Sequence, residues 1–142
     1  MKKVLITGGL GYIGMELAKI YSGLTRSHDV TVIDNQFFSS RVNQLKIWGI
    51  KFQQLDILDK NNIKDFISNF DIIYHLAGIT SVPQTSSQSD QKMNTKIRKA
   101  GVDGTNNIIK YSNENVKIIF PSTHVVFEGL KTVKKNLDET TK

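Results

Sequence analysis

The sequence has 142 residues, of which 39% are hydrophobic and 23% are charged, and these values fit a single globular domain over residues 1–142. It has no cysteine, no apolar run long enough for a transmembrane helix and no room for a signal peptide before the first strand, so we expect a cytoplasmic protein without disulfides or a metal site. The net charge of +6 is scattered and lacks interleaved aromatic residues, which favours a basic surface that attracts anionic ligands over nucleic-acid binding.

The first predicted element is a strand at residues 3–7, and a glycine-rich turn follows it directly. Glycine permits positive φ and close approach of the backbone to a ligand, and the last glycine, Gly14, is expected to let the next helix pack closely on the strand. That helix is predicted to bury apolar residues spaced by three or four, namely Ile13, Leu17, Ile20 and Leu24. Its N terminus offers unpaired N–H groups, so this arrangement predicts a pyrophosphate-binding site.

A second strand is predicted at residues 30–33, and it ends in Asp34, 20 residues after Gly14. A carboxylate at this spacing is typical of an acid that binds the ribose hydroxyls of a dinucleotide. Because Asp34 would repel a 2′-phosphate, it favours NAD over NADP. Arg41, seven residues later, is a counter-argument, although it can simply face solvent.

Strands and helices alternate through the rest of the chain. We predict helices at residues 41–48, 61–70 and 92–113, and strands at residues 51–55, 71–76 and 117–120. The helix at 61–70 is expected to bury Ile63, Phe66 and Ile67. Segments 80–90 and 128–142 are polar and show no clear periodicity of apolar residues. This alternation predicts an α/β fold, a Rossmann-type doubly wound parallel sheet with helices on both faces.

Ligands of such sheets bind beyond the carboxyl ends of the strands. Asp56 follows the third predicted strand, and it can either accept a hydrogen bond from an adenine amino group or cap the next helix. Ala77 and Gly78 follow the fourth strand and are small enough to lie against a cofactor. His75, at the end of that strand, is interpreted as a packed, hydrogen-bonded histidine rather than a catalyst.

Several segments together resemble the extended short-chain dehydrogenase/reductase family of nucleotide-sugar epimerases and dehydratases. They are Thr7-Gly8-x-x-Gly11-x-x-Gly14, Asp34-Asn35, Asp56-Ile57, His75-Leu76-Ala77-Gly78, Val102-x-Gly104-Thr105-x-Asn107 and the run Phe120-Pro121-Ser122-Thr123-His124-Val125-Val126-Phe127. The resemblance covers nearly the whole chain in the family's order.

The resemblance implies NAD as cofactor and a nucleotide sugar as substrate. It assigns cofactor binding to Gly8, Gly11, Tyr12, Ile13, Gly14, Asp34, Asn35, Asp56, Ile57, Leu76, Ala77 and Gly78, with Asp56 beside the adenine. It makes Thr123 the catalytic hydroxyl that hydrogen-bonds the reacting oxygen of the substrate, beside a tyrosine and a lysine. Ser122, Thr80 and Ser81 are candidate substrate residues.

The chain departs from the family pattern at several positions. No tyrosine in it is followed four residues later by a lysine, so the family's Tyr-x-x-x-Lys pair is missing. We therefore expect the N-terminal half of an enzyme of about 300 residues, inactive by itself. Gly101 stands where the family usually has asparagine, and Phe127 stands where it has tyrosine. His124 and Val125 replace an acidic pair of the dehydratases, and this replacement favours epimerase or reductase chemistry over dehydration.

Two functions follow from these observations. The first is an NAD-dependent nucleotide-sugar epimerase or related oxidoreductase, of which this chain is the cofactor-binding half. The alternative is a non-catalytic NAD-binding sensor or regulatory module, since fold and cofactor site alone do not establish turnover. A homodimer through a pair of long helices, one of them at residues 92–113, is compatible with either function.

Overall fold

A computed structural model of the chain describes residues 1–79 and 91–122, with side chains from residue 95 onward in the second range. The strands are β1 (Lys2–Thr7), β2 (His28–Asp34), β3 (Lys51–Gln54), β4 (Ile72–His75) and β5 (Lys117–Ile119). The helices are α1 (Tyr12–Ser22), α2 (Ser39–Ile47), α3 (Lys60–Ile67), α4 (Gln91–Arg98) and α5 (Thr105–Tyr111), with a π-helical segment, Lys99–Gly104, between the last two. The predicted segments 80–90 and 128–142 lie outside the described residues.

All strand pairs are parallel, and the strand order is β3-β2-β1-β4-β5. Successive residues of β1 enter different cores: Val4 and Ile6 pack with residues of α1 and α2, whereas Leu5 packs with residues of α3 and α5. Helices therefore cover both faces of the sheet, which confirms the predicted Rossmann-type fold. The order reverses at β1, so the carboxyl ends of β1 and β4 flank the position where such sheets bind ligands.

The predicted buried face of α1 is wrong. Ile13 and Ile20 are 62% and 66% exposed, Leu17 is half-buried, and Leu24 is exposed beyond the end of the helix. The helix instead buries Gly14, Ala18 and Tyr21. The buried side of the helix thus begins with two small residues, and the first of them, Gly14, lies against the turn before the helix.

Tyr21 anchors the end of this helix on the sheet. Its hydroxyl lies 3.0 Å from the hydroxyl of Tyr74 in β4, and the two rings meet edge to face at 6.0 Å. Burial, and then the hydrogen bond with Tyr74, raise the pKa of the Tyr21 hydroxyl, which therefore stays protonated to a higher pH than a free tyrosine does. In α3, by contrast, the predicted stripe is confirmed, because Ile63 and Ile67 are fully buried and Phe66 packs against the same core.

The single helix predicted at residues 92–113 is interrupted by the π-helical segment. Two of the six residues in this segment, Gly101 and Gly104, are glycines, which weaken an α-helix. A Cβ on Gly104 would lie 2.3 Å from Cδ1 of Ile57, which follows β3, so any larger residue here would require the Ile57 side chain to move. Among the helices that the structure describes, none is long and apolar enough to cross a membrane.

Gly104→Ala is expected to lower the free energy of unfolding by about 1–3 kcal/mol, the usual cost of overpacking a core. Ile57→Val removes the clashing Cδ1, so the double variant should recover part of this loss. Gly101→Ala is the matched control, since a Cβ there meets nothing within 4 Å. Denaturant unfolding of the variants measures the effect, and equal stability of Gly104→Ala and Gly101→Ala would contradict the packing argument.

Candidate cofactor-binding site

The turn after β1 is built from glycines that bring two strand ends together. Gly8 has φ +63°, and a Cβ there would lie 2.6 Å from the Cα of Ala77, which follows β4. A Cβ on Gly14 would lie 2.5 Å from the Cα of Gly9. The atoms nearest to this position thus belong to the turn itself.

The start of α1 presents unpaired donors to this turn. The N-cap residue Gly11 has no side chain to accept a hydrogen bond, and the first turn of the helix contains no acidic residue. The Met15 N–H donates to the Gly11 carbonyl at 3.0 Å, so the N–H groups of the three residues between them precede the helical hydrogen-bond ladder. Such donors, together with the positive end of the helix dipole, suit a phosphate.

Asp34 ends β2, and each of its carboxylate oxygens accepts a backbone hydrogen bond, one from the glycine turn and one from the loop after β2. Oδ2 accepts from the Leu10 N–H at 3.1 Å, and Oδ1 accepts from the Gln36 N–H at 3.0 Å. A carboxylate oxygen can accept more than one hydrogen bond, so both oxygens retain capacity for ribose hydroxyls. The bond to Leu10 is a second role of Asp34 that the sequence pattern did not indicate.

Asp56 does not cap α3, so that alternative is wrong. The cap is Asp59, whose carboxylate accepts from the Asn62 backbone at 3.3 Å and from the Asn62 side chain at 2.6 Å. Hydrogen bonds from the Asn62 side chain, and then from its backbone, lower the pKa of Asp59. Asp56 instead accepts from the Leu58 N–H at 2.9 Å and from the side chain of Asn35 at 3.2 Å, which joins the ends of β2 and β3.

His75 is packed and hydrogen-bonded, as predicted. Its ring is 1% exposed, with Nδ1 2.8 Å from Thr7 Oγ1 and Nε2 2.9 Å from Thr105 Oγ1. The Ala77 N–H donates to the same Thr7 oxygen at 3.1 Å. Burial lowers the pKa of His75, which favours the neutral ring with one donor and one acceptor nitrogen. The histidine therefore ties β1, β4 and α5 together beneath Ala77.

Stability should decrease as the pH falls below about 6.5, the ordinary pKa of histidine. The unfolded chain then binds a proton that folded His75 resists, because burial lowers the folded-state pKa. The loss continues until the pH reaches that lowered pKa. Denaturant unfolding between pH 5 and 8 measures how the free energy of unfolding depends on pH. His75→Gln should weaken this dependence, and the matched control His28→Gln should retain it. An unchanged slope in His75→Gln would contradict this assignment.

A cleft of about 630 Å³ lies at the carboxyl edge of the sheet. Every predicted cofactor-binding residue lines it: Gly8, Gly11, Tyr12, Ile13, Gly14, Asp34, Asn35, Asp56, Ile57, Leu76, Ala77 and Gly78. Ser122 is exposed beside Pro121, which lines the cleft. Thr123, Thr80 and Ser81 lie outside the described residues. Within residues 1–79 and 91–122, no group of acidic or histidine side chains could hold a metal ion.

Three basic residues also line the cleft, and their position could not be read from the sequence. Lys96 and Lys99 come from the end of α4 and the start of the π-helical segment. Arg41 comes from the first turn of α2, and its Nη1 donates to the Leu10 carbonyl. Arg41 is exposed, as the solvent-facing interpretation expects, but it also contacts the glycine turn.

The sequence model of the NAD dependent epimerase/dehydratase family matches residues 4–142. The chain is 34% identical to a UDP-N-acetyl-alpha-D-glucosaminuronate decarboxylase of Bacillus cytotoxicus over 89% of this chain and 38% of that protein. It is 31% identical to the CDP-paratose 2-epimerase of Salmonella typhi over 97% of this chain and 41% of that protein. The chain thus spans about two fifths of the length of these two curated relatives.

Solved structures share the fold at lower identity. A UDP-glucuronic acid 4-epimerase from Bacillus cereus, in complex with a fluorinated UDP-glucuronic acid and NAD, superposes with a TM-score of 0.74 at 23% identity, over 95% of this chain and 45% of that one. The UDP-Glc/GlcNAc 4-epimerase from Campylobacter jejuni superposes with a TM-score of 0.72 at 24% identity, over 96% of this chain and 42% of that one. At these identities the likeness shows the common fold.

Proposed function

The chain belongs to the NAD-dependent epimerase/dehydratase family, and on this premise we propose that residues 1–142 form the NAD-binding domain of a nucleotide-sugar epimerase or related oxidoreductase. The observation that carries the proposal is the convergence of all the predicted cofactor-binding residues on one cleft. Both curated relatives described above act on nucleotide sugars by name.

The residues of the cleft fit a dinucleotide. Gly8 leaves space where a side chain would meet Ala77, and the start of α1 offers N–H donors to a pyrophosphate. Asp34 would accept hydrogen bonds from the adenosine ribose, and Asp56 would lie beside the adenine. When bound, NAD would supply a ring that accepts and returns a hydride.

The substrate part of the proposal depends on charge and on the family. Lys96 and Lys99 line the cleft with positive charge, which supports a phosphate-bearing ligand. We keep Thr123 as the proposed hydroxyl that hydrogen-bonds the reacting oxygen of the sugar, with Thr80, Ser81 and Ser122 as candidate substrate contacts. Proton transfer would require the family's Tyr-x-x-x-Lys pair, which these residues do not contain.

Assembly and location complete the proposal. A homodimer through the helical region at residues 92–113 is supported by two exposed apolar side chains, Val102 in the π-helical segment and Ile109 in α5, which are 49% and 59% exposed. We place the protein in the cytoplasm because its sequence lacks cysteine.

Titration of the ¹⁵N-labelled chain with NAD tests the proposal. The amide resonances of residues 8–14, Asp34 and Asp56 should shift, whereas those of the distant β2 start, including Asp29, should not. Shifts confined to other surfaces would contradict it. The non-catalytic alternative is separated by assaying a longer protein that carries a Tyr-x-x-x-Lys pair, since a sensor would bind NAD without converting any nucleotide sugar.

A further inference from the structure

Leu10 is held at three points within the glycine turn. Its side chain is 1% exposed and belongs to the core that also contains Leu45 of α2. Its N–H donates to Asp34, and its carbonyl accepts from Arg41 Nη1. The next two side chains, Tyr12 and Ile13, are exposed. Leu10 therefore helps to fix the turn to β2 and α2.

Arg41 is itself held in place. Its guanidinium carbon lies 5.1 Å from the centroid of the Phe38 ring, a cation–π distance. The residue lies in the first turn of α2, and Leu45, one turn later, anchors this helix in the same core as Leu10. The guanidinium of this exposed residue thus contacts both the Phe38 ring and the turn.

The peptide group between Leu10 and Gly11 is held by a hydrogen bond at each end. Its carbonyl accepts from Arg41, and its N–H, that of Gly11, donates to the Gly8 carbonyl at 3.0 Å. This peptide leads directly into α1, so its orientation sets the direction of the N–H groups at the helix start. A carbonyl left unpaired here would repel a phosphate, and the guanidinium offsets its partial negative charge.

We infer that Arg41 is a positioning residue that orients the glycine turn for the pyrophosphate of a dinucleotide, by binding the Leu10 carbonyl and without binding the phosphate itself. The inference rests on the proposed function, because it assumes that the cleft takes a dinucleotide.

Arg41→Met tests the inference, because methionine keeps an unbranched side chain and removes the donors. By calorimetry, the variant should bind NAD at least about tenfold more weakly, equivalent to about 1.4 kcal/mol. Its affinity for adenosine, measured by NMR, should change by less than about twofold, since adenosine lacks the pyrophosphate. Arg41→Lys should recover part of the loss, and Lys46→Met, on the same helix, is the matched control that should bind NAD as the wild type does.

A second measurement does not need a ligand. In the free protein, the Gly11 amide of Arg41→Met should shift and exchange with solvent faster, whereas circular dichroism should show an intact fold. Unchanged NAD affinity with an unchanged Gly11 amide would overturn the inference, and so would an equal loss of NAD and adenosine affinity. If the wild type binds no NAD, the proposed function fails. The Gly11 amide of Arg41→Met still tests whether Arg41 orients the turn, because a shift supports that role and an unchanged resonance contradicts it.

Discussion

Gly8→Ala should abolish NAD binding and lower the free energy of unfolding by about 2–5 kcal/mol, from the cost of positive φ together with overpacking. Gly8 has φ +63°, and the new Cβ would lie 2.6 Å from the Cα of Ala77 and 2.7 Å from its nitrogen. These are backbone atoms, so neither can rotate away. Relief requires β1 and β4 to separate at their carboxyl ends, which would open the floor of the cleft.

Gly49→Ala is the matched control for this variant. Gly49 has φ +70°, but a Cβ there meets nothing within 4 Å. Gly49→Ala should therefore lower the free energy of unfolding only by the cost of positive φ, about 1–2 kcal/mol, and should leave NAD binding unchanged. Denaturant unfolding and calorimetry of both variants measure the difference. If the two lose equal stability and Gly8→Ala still binds NAD, the close approach at the turn has no functional role.

Asp34→Ala should weaken NAD binding at least about tenfold, because each hydrogen bond to a charged group contributes about 1.5–3 kcal/mol. The substitution removes the proposed acceptor of the ribose hydroxyls, and it also frees the Leu10 N–H from the carboxylate. Asp34→Asn separates the two effects, since the amide oxygen can keep one backbone bond but carries no charge. Calorimetric titration with NAD measures all of these variants.

Asp29→Ala is the control for Asp34→Ala on the same strand. Asp29 forms an exposed ion pair with Lys51 at 2.8 Å, and such pairs contribute about 1 kcal/mol or less to stability. Its removal should leave NAD affinity unchanged. Equal affinities of Asp34→Ala and Asp29→Ala for NAD would contradict the assignment of Asp34 to the cofactor.

The features that could be predicted from the sequence are those set by local pattern. Most of the strands are apolar runs that end beside a turn or an acidic residue. The positions of the strand ends, and of cleft residues at or just after them such as Asp34 and Ala77, could therefore be predicted. Glycine spacing identified the turn before α1. Parallel connectivity then brings these strand ends to one edge without further information.

Features that depend on contacts between elements were predicted wrongly or not at all. The apolar stripe of Ile13 and Ile20 has helical spacing, but it faces outward, and the helix lies with Gly14 against the turn. Within residues 92–113, two glycines are the only local sign of the π-helical segment. The contact that involves one of them, Gly104 with Ile57, joins residues that are 47 positions apart in the sequence. The bond from Arg41 to Leu10 likewise joins residues with no shared local pattern.

We propose that this chain holds NAD in the cleft at the carboxyl edge of its sheet. Calorimetric titration of the chain with NAD and, separately, with NADP is the decisive test of this binding. We expect saturable binding of NAD that is at least about tenfold tighter than that of NADP, because the Asp34 carboxylate repels a 2′-phosphate. Absence of binding by both dinucleotides, or tighter binding of NADP, would contradict it.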